Sequence, residues 1–95
     1  MTRYLTLIRF TEQGVKNLAK STTRAEAFRN ASAKEGVKVE AQYWTTGAYD
    51  GVLILSAENE KAALRCLATL AAAGDVRTET LRAIDAKEFE AIAAK

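Results

Sequence analysis

The sequence predicts a single α+β domain, residues 1–95, with a βαββαβ element order, a four-stranded antiparallel sheet, helices on one face and a short C-terminal helix. Three observations carry this. Residues 3–10 and 49–56 are apolar on both alternating sides, as strands covered on two faces are. Residues 37–44 and 76–84 are rich in β-formers but carry charges, as edge strands do. Helical spacing and helix-ending glycines fill the intervals between them. In this topology the first and third strands are central, and they are the two with the doubly apolar pattern.

Each element has its own signature. In residues 3–10, Leu5 and Leu7 project one way, and Tyr4, Ile8 and Phe10 the other. Residues 11–22 connect, with Val15, Leu18 and Ala19 at helical spacing around Gly14. Thr23-Arg-Ala-Glu26 has the spacing of a capping box and opens a helix with Ala25, Phe28, Ala31 and Ser32 on its buried stripe. Gly36 ends it, because glycine adopts the left-handed conformation cheaply. In residues 37–44, Val37, Val39, Ala41 and Tyr43 oppose Lys38, Glu40, Gln42 and Trp44. A two-residue turn at Thr46-Gly47 would pair Trp44 with Tyr49 and Tyr43 with Asp50.

In the next strand Val52 and Ile54 share one face, Leu53 and Leu55 the other. Glu58 and Glu60 suit a helix N-terminus. Ala63, Cys66, Leu67 and Leu70 mark the apolar side of that helix, and Gly74 ends it. Asp85-Ala-Lys-Glu88 is a second capping box, opening a final helix with Phe89 and Ile92 on its inner side.

Helices of this topology cover one face only. Leu53 and Leu55 are expected on the open one, joined by Leu5 and Leu7 if these share that face. An aliphatic patch of that kind asks for a cover. A second copy packed sheet to sheet supplies it, so the expected partner is the chain itself, as a homodimer or higher homo-oligomer.

Composition removes many functions. With 48% apolar and 27% charged residues the chain is an ordinary globular one and not disordered. The net charge is +2, with the basic residues scattered. A nucleic-acid or anionic-membrane footprint would need them clustered. The third strand also offers leucines where RNA-recognition sheets carry stacking aromatics. Histidine is absent, which removes Ser-His-Asp triads and imidazole metal ligands. Cys66 is alone, so it forms no internal disulfide and no structural zinc site, and it reads as core packing. Gly47 and Gly51 open a strand, not the helix that would hold phosphate. No metal and no cofactor is expected. The start has no signal-peptide pattern, and no run approaches a membrane span. A cytoplasmic location is the expectation.

The most concentrated chemistry is Tyr43-Trp44-Thr-Thr-Gly-Ala-Tyr49-Asp50. It reads in two ways. Aromatic cross-strand pairs can simply stabilise a hairpin, with Asp50 bonding turn amides. Alternatively, Tyr43, Trp44, Tyr49 and Asp50 form a rim that orients a small molecule. Asp50 is then the only candidate general base.

Three segments together resemble the GYD-domain family: Phe10-Thr-Glu-Gln-Gly14, Tyr43-Trp-Thr-Thr-Gly-Ala-Tyr-Asp50, and Gly74-Asp-Val-Arg-Thr-Glu-Thr-Leu-Arg-Ala83. The likeness runs from about residue 3 to residue 85. Ile84 stands where the family often has Phe. The resemblance implies a dimeric α+β barrel, in which two sheets pack together, and supplies no substrate. The family's recurring positions fall on Gln13, Gly14, Tyr43, Trp44, Gly47, Tyr49, Asp50, Arg77 and Thr80. Gln13 thereby joins the hairpin residues as a tentative ligand contact. The leading expectation is a small-molecule-binding homo-oligomer with a sheet–helix cavity. The alternatives are a cofactor-independent isomerase or monooxygenase acting on a small aromatic or carbonyl compound, and a structural or interaction protein without a ligand.

Overall fold

Local sequence sets the elements, and a computed structural model describes residues 1–94 of them. The strands are β1 (Thr2–Phe10), β2 (Val37–Trp44), β3 (Gly51–Ala57) and β4 (Val76–Ala83). The helices are α1 (Glu12–Lys16), α2 (Ser21–Lys34), α3 (Glu60–Ala72) and α4 (Ala86–Ala93), with a 3-10 turn at Leu18–Lys20. The sheet is antiparallel in the order β2-β3-β1-β4. The central pair is β1 and β3, as their doubly apolar patterns require.

Ends are fixed by caps. The Thr11 hydroxyl accepts from the Gly14 amide at 3.2 Å and opens α1. The Asn59 carboxamide oxygen accepts from Lys61 and Ala62 and opens α3. Asp85 and Glu88 form the expected capping box on α4. Gly36 and Gly74 close α2 and α3 with φ of +79° and +86°. The capping box expected at Thr23 is not formed. The 3-10 turn runs directly into α2, so the helix starts at Ser21 with no side-chain cap and Thr23 lies inside it.

Helices α2 and α3 cover one face of the sheet. Tyr4, Ile8, Val37, Val39, Leu53, Leu55 and Ala57 meet Ala62, Ala63, Cys66 and Leu67 there, with Phe10, Phe28 and Leu70 packed alongside. Leu53 and Leu55 are 1% and 0% exposed. This corrects their expected place on the open face. Alternation tells which residues of one strand share a face, and within β1 and β3 that grouping is right, but Leu5 and Leu7 do not share the face of Leu53 and Leu55. It cannot tell which apolar group the helices choose. Ala57 in β3 and Ala62 and Ala63 in α3 are small and buried. They let the helix sit close on the side of Leu53 and Leu55. The open face instead carries Leu5 and Leu7, paired with Ile54 and Val52, and Leu81 opposite Leu5.

Two further expectations give way. The hairpin register pairs Trp44 with Gly51 and Tyr43 with Val52, leaving residues 45–50 as the loop. A two-residue turn needs a positive φ at its first central position. Gly47 has one, at +109°, but no non-glycine among the described residues does, so Thr46 cannot serve. Second, the alternation of β2 breaks at a bulge. Val39 pairs with Leu55 and Ala41 with Ile54, so Glu40 is the extra residue. Beyond it the faces exchange: Ala41 and Tyr43 move to the open side, Gln42 and Trp44 to the helix side.

Helix α4 adds nothing to the core cluster. Phe89 and Ile92, expected on an inner side, are 59% and 64% exposed. The helix follows an edge strand, and α2 and α3 already occupy the covered face. Among the described residues, no helix is long and apolar enough to cross a membrane.

Candidate functional site

The sheet–helix layer is not filled along its whole length. At the end where β1 finishes and β3 begins, a cavity of about 330 Å³ lies between the sheet and helices α2 and α3. Ile8, Phe10, Gly51, Leu53 and Val76 border it from the sheet. Phe28 and Leu70 border it from the helices, together with Ala25, Ala27, Ala31 and Ala73. Those alanines explain the void. The stripe of α2 that fits a helix over a sheet is too short in side chain to reach the strands. A volume of this size is at the lower end of small-molecule sites.

Few polar groups reach this apolar space. Arg24 lies 3.5 Å from the Asp75 carboxylate and donates to the Asn17 carbonyl at 2.7 Å, so its charge is already answered. Asp50 borders the cavity, but its Oδ2 accepts the Phe10 amide at 2.9 Å, and its own amide donates to the Ile8 carbonyl at 2.8 Å. Asp50 thus holds the last residues of β1 beyond the β3 ladder. Gln42 differs. Its Oε1 is buried and has no hydrogen-bond partner.

The hairpin residues divide between the two sides. Trp44, Tyr43 and Asp50 border the cavity. Trp44 is on the helix side by register, whereas Tyr43 is on the open side and 61% exposed. Tyr49 does not border the cavity. Its ring lies under the Arg9 guanidinium at 4.6 Å, and its hydroxyl donates to Glu79 at 3.2 Å. Arg9 also donates to the Ala48 carbonyl, and the Thr45 hydroxyl to the Tyr49 carbonyl. Gly47, Tyr49 and Asp50 therefore share out the work of the loop: one turns it, one pins it across the open face to β4, and one ties it to β1.

Gln13 is likewise occupied. Its side-chain nitrogen donates to the Ala73 carbonyl at 3.0 Å and to Asp75 at 2.9 Å. The Thr11 hydroxyl donates to the Gly74 carbonyl at 2.6 Å. Gly14 packs so tightly on the Asp75 carbonyl that any Cβ would collide with it. The Thr11–Gly14 segment is thus a latch on the α3–β4 loop, which explains why glutamine and glycine belong together there. Thr80 shares a hydroxyl hydrogen bond of 3.0 Å with Thr6, and Arg77 is exposed opposite Arg9. Sequence reading misses Arg24, Asp75, Phe28 and Gln42 as cavity residues. Phe28 has a helical-spacing signal, but that signal points only to core. The inward turn of Gln42 depends on the bulge, which has no sequence signature.

The Glu40 carboxyl lies below its ordinary pKa, held there first by the Ser56 hydroxyl and then by Arg3, 3.4 Å away, against an opposing effect of burial. These contacts tether the bulged residue on the open face.

Comparison with known proteins agrees with this geometry. Residues 4–93 match the GYD domain family, and the chain belongs to it. A protein of Thermus thermophilus named as a glutamine synthetase and cystathionine beta-lyase binding protein is 34% identical over 85 residues, covering 88% of this chain and 90% of that one. A protein of known crystal structure, also from Thermus thermophilus, superposes with a TM-score of 0.58 at 26% identity, over 90% of this chain and 96% of its own. The crystal structure of FFRP-DM1 superposes with a TM-score of 0.63 at 17% identity, over 88% and 100%, and shares the fold.

Proposed function

We propose that this member of the GYD family binds a small, largely apolar molecule in the sheet–helix cavity, and that it does so as an assembly of copies packed through their open sheet faces. The single observation behind the first part is the cavity of about 330 Å³ with an apolar lining and few polar groups. Trp44, Tyr43 and Asp50 edge it. Gln13 and Tyr49 act at one remove, by holding the frame. The second part is supported by the row of Leu5, Leu7, Val52, Ile54 and Leu81 on a face without helices. A cytoplasmic location fits a single, buried, unpaired cysteine.

A thermal-shift screen with small aromatics tests the first part. A ligand of the folded state must raise the melting temperature with concentration. Absence of any shift at millimolar concentration overturns it.

Catalysis is not the favoured reading. Two carboxylates border the cavity and both are engaged: one oxygen of Asp50 accepts the Phe10 amide, and Asp75 is held by Arg24 and Gln13.

A second reading has its own support. The Thermus thermophilus relative is named for binding two enzymes. The exposed Phe89 and Ile92 of α4 are apolar groups that a protein partner would cover. Surface plasmon resonance between this chain and glutamine synthetase from the same source tests it. A Phe89→Ser, Ile92→Ser variant should lose the signal while keeping its fold.

A further inference from the structure

From the unpaired carboxamide in the cavity wall, we infer that Gln42 sets the specificity of this site, and that the ligand is an uncharged molecule with an aromatic or branched apolar body and one amide, hydroxyl or N–H head that pairs with Gln42. The inference rests on the cavity being a ligand site.

Three observations converge on it. Gln42 faces the helices only because Glu40 bulges out of β2; a regular strand would turn it to the open side. Bulges of this kind re-aim a side chain at the cost of ladder bonds, and they gather beside functional sites. The bulge is also tethered from outside by the contacts of Glu40 with Ser56 and Arg3. Finally, the re-aimed carboxamide ends in an apolar wall with its oxygen buried and unpaired. Most buried polar atoms in folded proteins have a partner; among the described residues Ser32 Oγ and Gln42 Oε1 do not, and of the two only Gln42 borders this cavity, where an occupant can supply one. A carboxamide can present either its oxygen or its nitrogen after a half-turn, which suits amide, phenol and indole-type heads alike.

Charge is selected against by the same walls. Arg24 is matched by Asp75, and Asp50 by the Phe10 amide. An anionic ligand would find its one cation, Arg24, already paired and would face the Asp50 carboxylate; a cationic one would meet only the remaining oxygen of Asp50 at the rim of an apolar space, where desolvation opposes binding.

Four probes of nearly equal size separate these terms: toluene, benzamide, benzoate and benzylamine, titrated by calorimetry and thermal shift. The wild-type chain should bind benzamide about tenfold tighter than toluene, as one buried hydrogen bond to a group otherwise unpaired would give, and both ions more weakly than toluene. Gln42→Leu should keep toluene and lose the benzamide preference, and without ligand should melt at the same temperature or higher. Gln42→Met serves the same purpose if the leucine variant does not fold. Toluene binding without a benzamide preference, a preference that survives both substitutions, or benzoate as the tightest probe overturns the role of Gln42 while leaving the cavity a ligand site. Failure of all four probes to bind overturns both.

Discussion

The two faces of this sheet bury apolar side chains by different means. On the helix-covered face, Leu55, Ala57 and Ala63 are sealed by elements of the same chain. On the open face, Leu5, Leu7, Val52 and Ile54 are only half-buried, and Leu81 is 45% exposed. Composition does not distinguish the two sets. What differs is the cover, and with it the consequence of a substitution. A residue on the first face contributes to folding itself. One on the second contributes chiefly to whatever packs there.

The largest effect should come from a matched pair of truncations. Leu55→Ala removes a fully buried side chain from the core and should cost about 3 kcal/mol of folding stability by urea denaturation. Ile54→Ala, the preceding residue of β3, should cost about 1 kcal/mol when measured on dilute protein. Equal losses would erase the distinction between the faces.

Ile54→Asp sharpens it further. If a second copy covers the open face, sedimentation should move from an assembly to a monomer, while the far-ultraviolet circular dichroism stays unchanged. A placement of charge there with no change in sedimentation would leave the open face without a partner copy.

A smaller effect is expected where the loop crosses to the open face. Tyr49→Phe keeps the ring under Arg9 and removes only the exposed hydrogen bond to Glu79. It should cost about 0.5 kcal/mol and should not alter binding of apolar probes, since Tyr49 does not border the cavity.

The smallest effect concerns the bulge tether. Glu40 has a lowered pKa in the folded chain, so its contribution is fully present above the ordinary glutamate range and is lost as pH falls through the folded-state value. The melting temperatures of wild type and Glu40→Gln should therefore differ slightly near neutrality and converge in acid. Because the pair is exposed, the difference should shrink with salt.

Much of this is legible in the chain. The doubly apolar patterns of residues 3–10 and 49–56 identify the central strands. The glycines at 36 and 74 and the Asp85–Glu88 box mark helix ends because caps act through neighbouring backbone groups. The hairpin segment stands out by its chemistry, and three of its residues, Tyr43, Trp44 and Asp50, do border the cavity. Gln13 and Tyr49 belong to the right segments, but their partners, Asp75 and Glu79, lie 62 and 30 residues away along the chain and cannot be read from it.

By itself, the sequence determined which residues share a face in β1 and β3, where the helices end and which strands are central, since periodicity and capping are local properties of the backbone. Only tertiary structure decided which face of β3 the helices cover, because Leu53 and Ile54 are near-equal in apolarity and the choice depends on how closely α3 can approach. It alone decided that Glu40 leaves the ladder, since a bulge is a compromise between two strands and not a preference of one. Gln42 follows from that compromise: a polar residue on a polar stripe in the sequence becomes an unpaired carboxamide in an apolar cavity once the strand has turned.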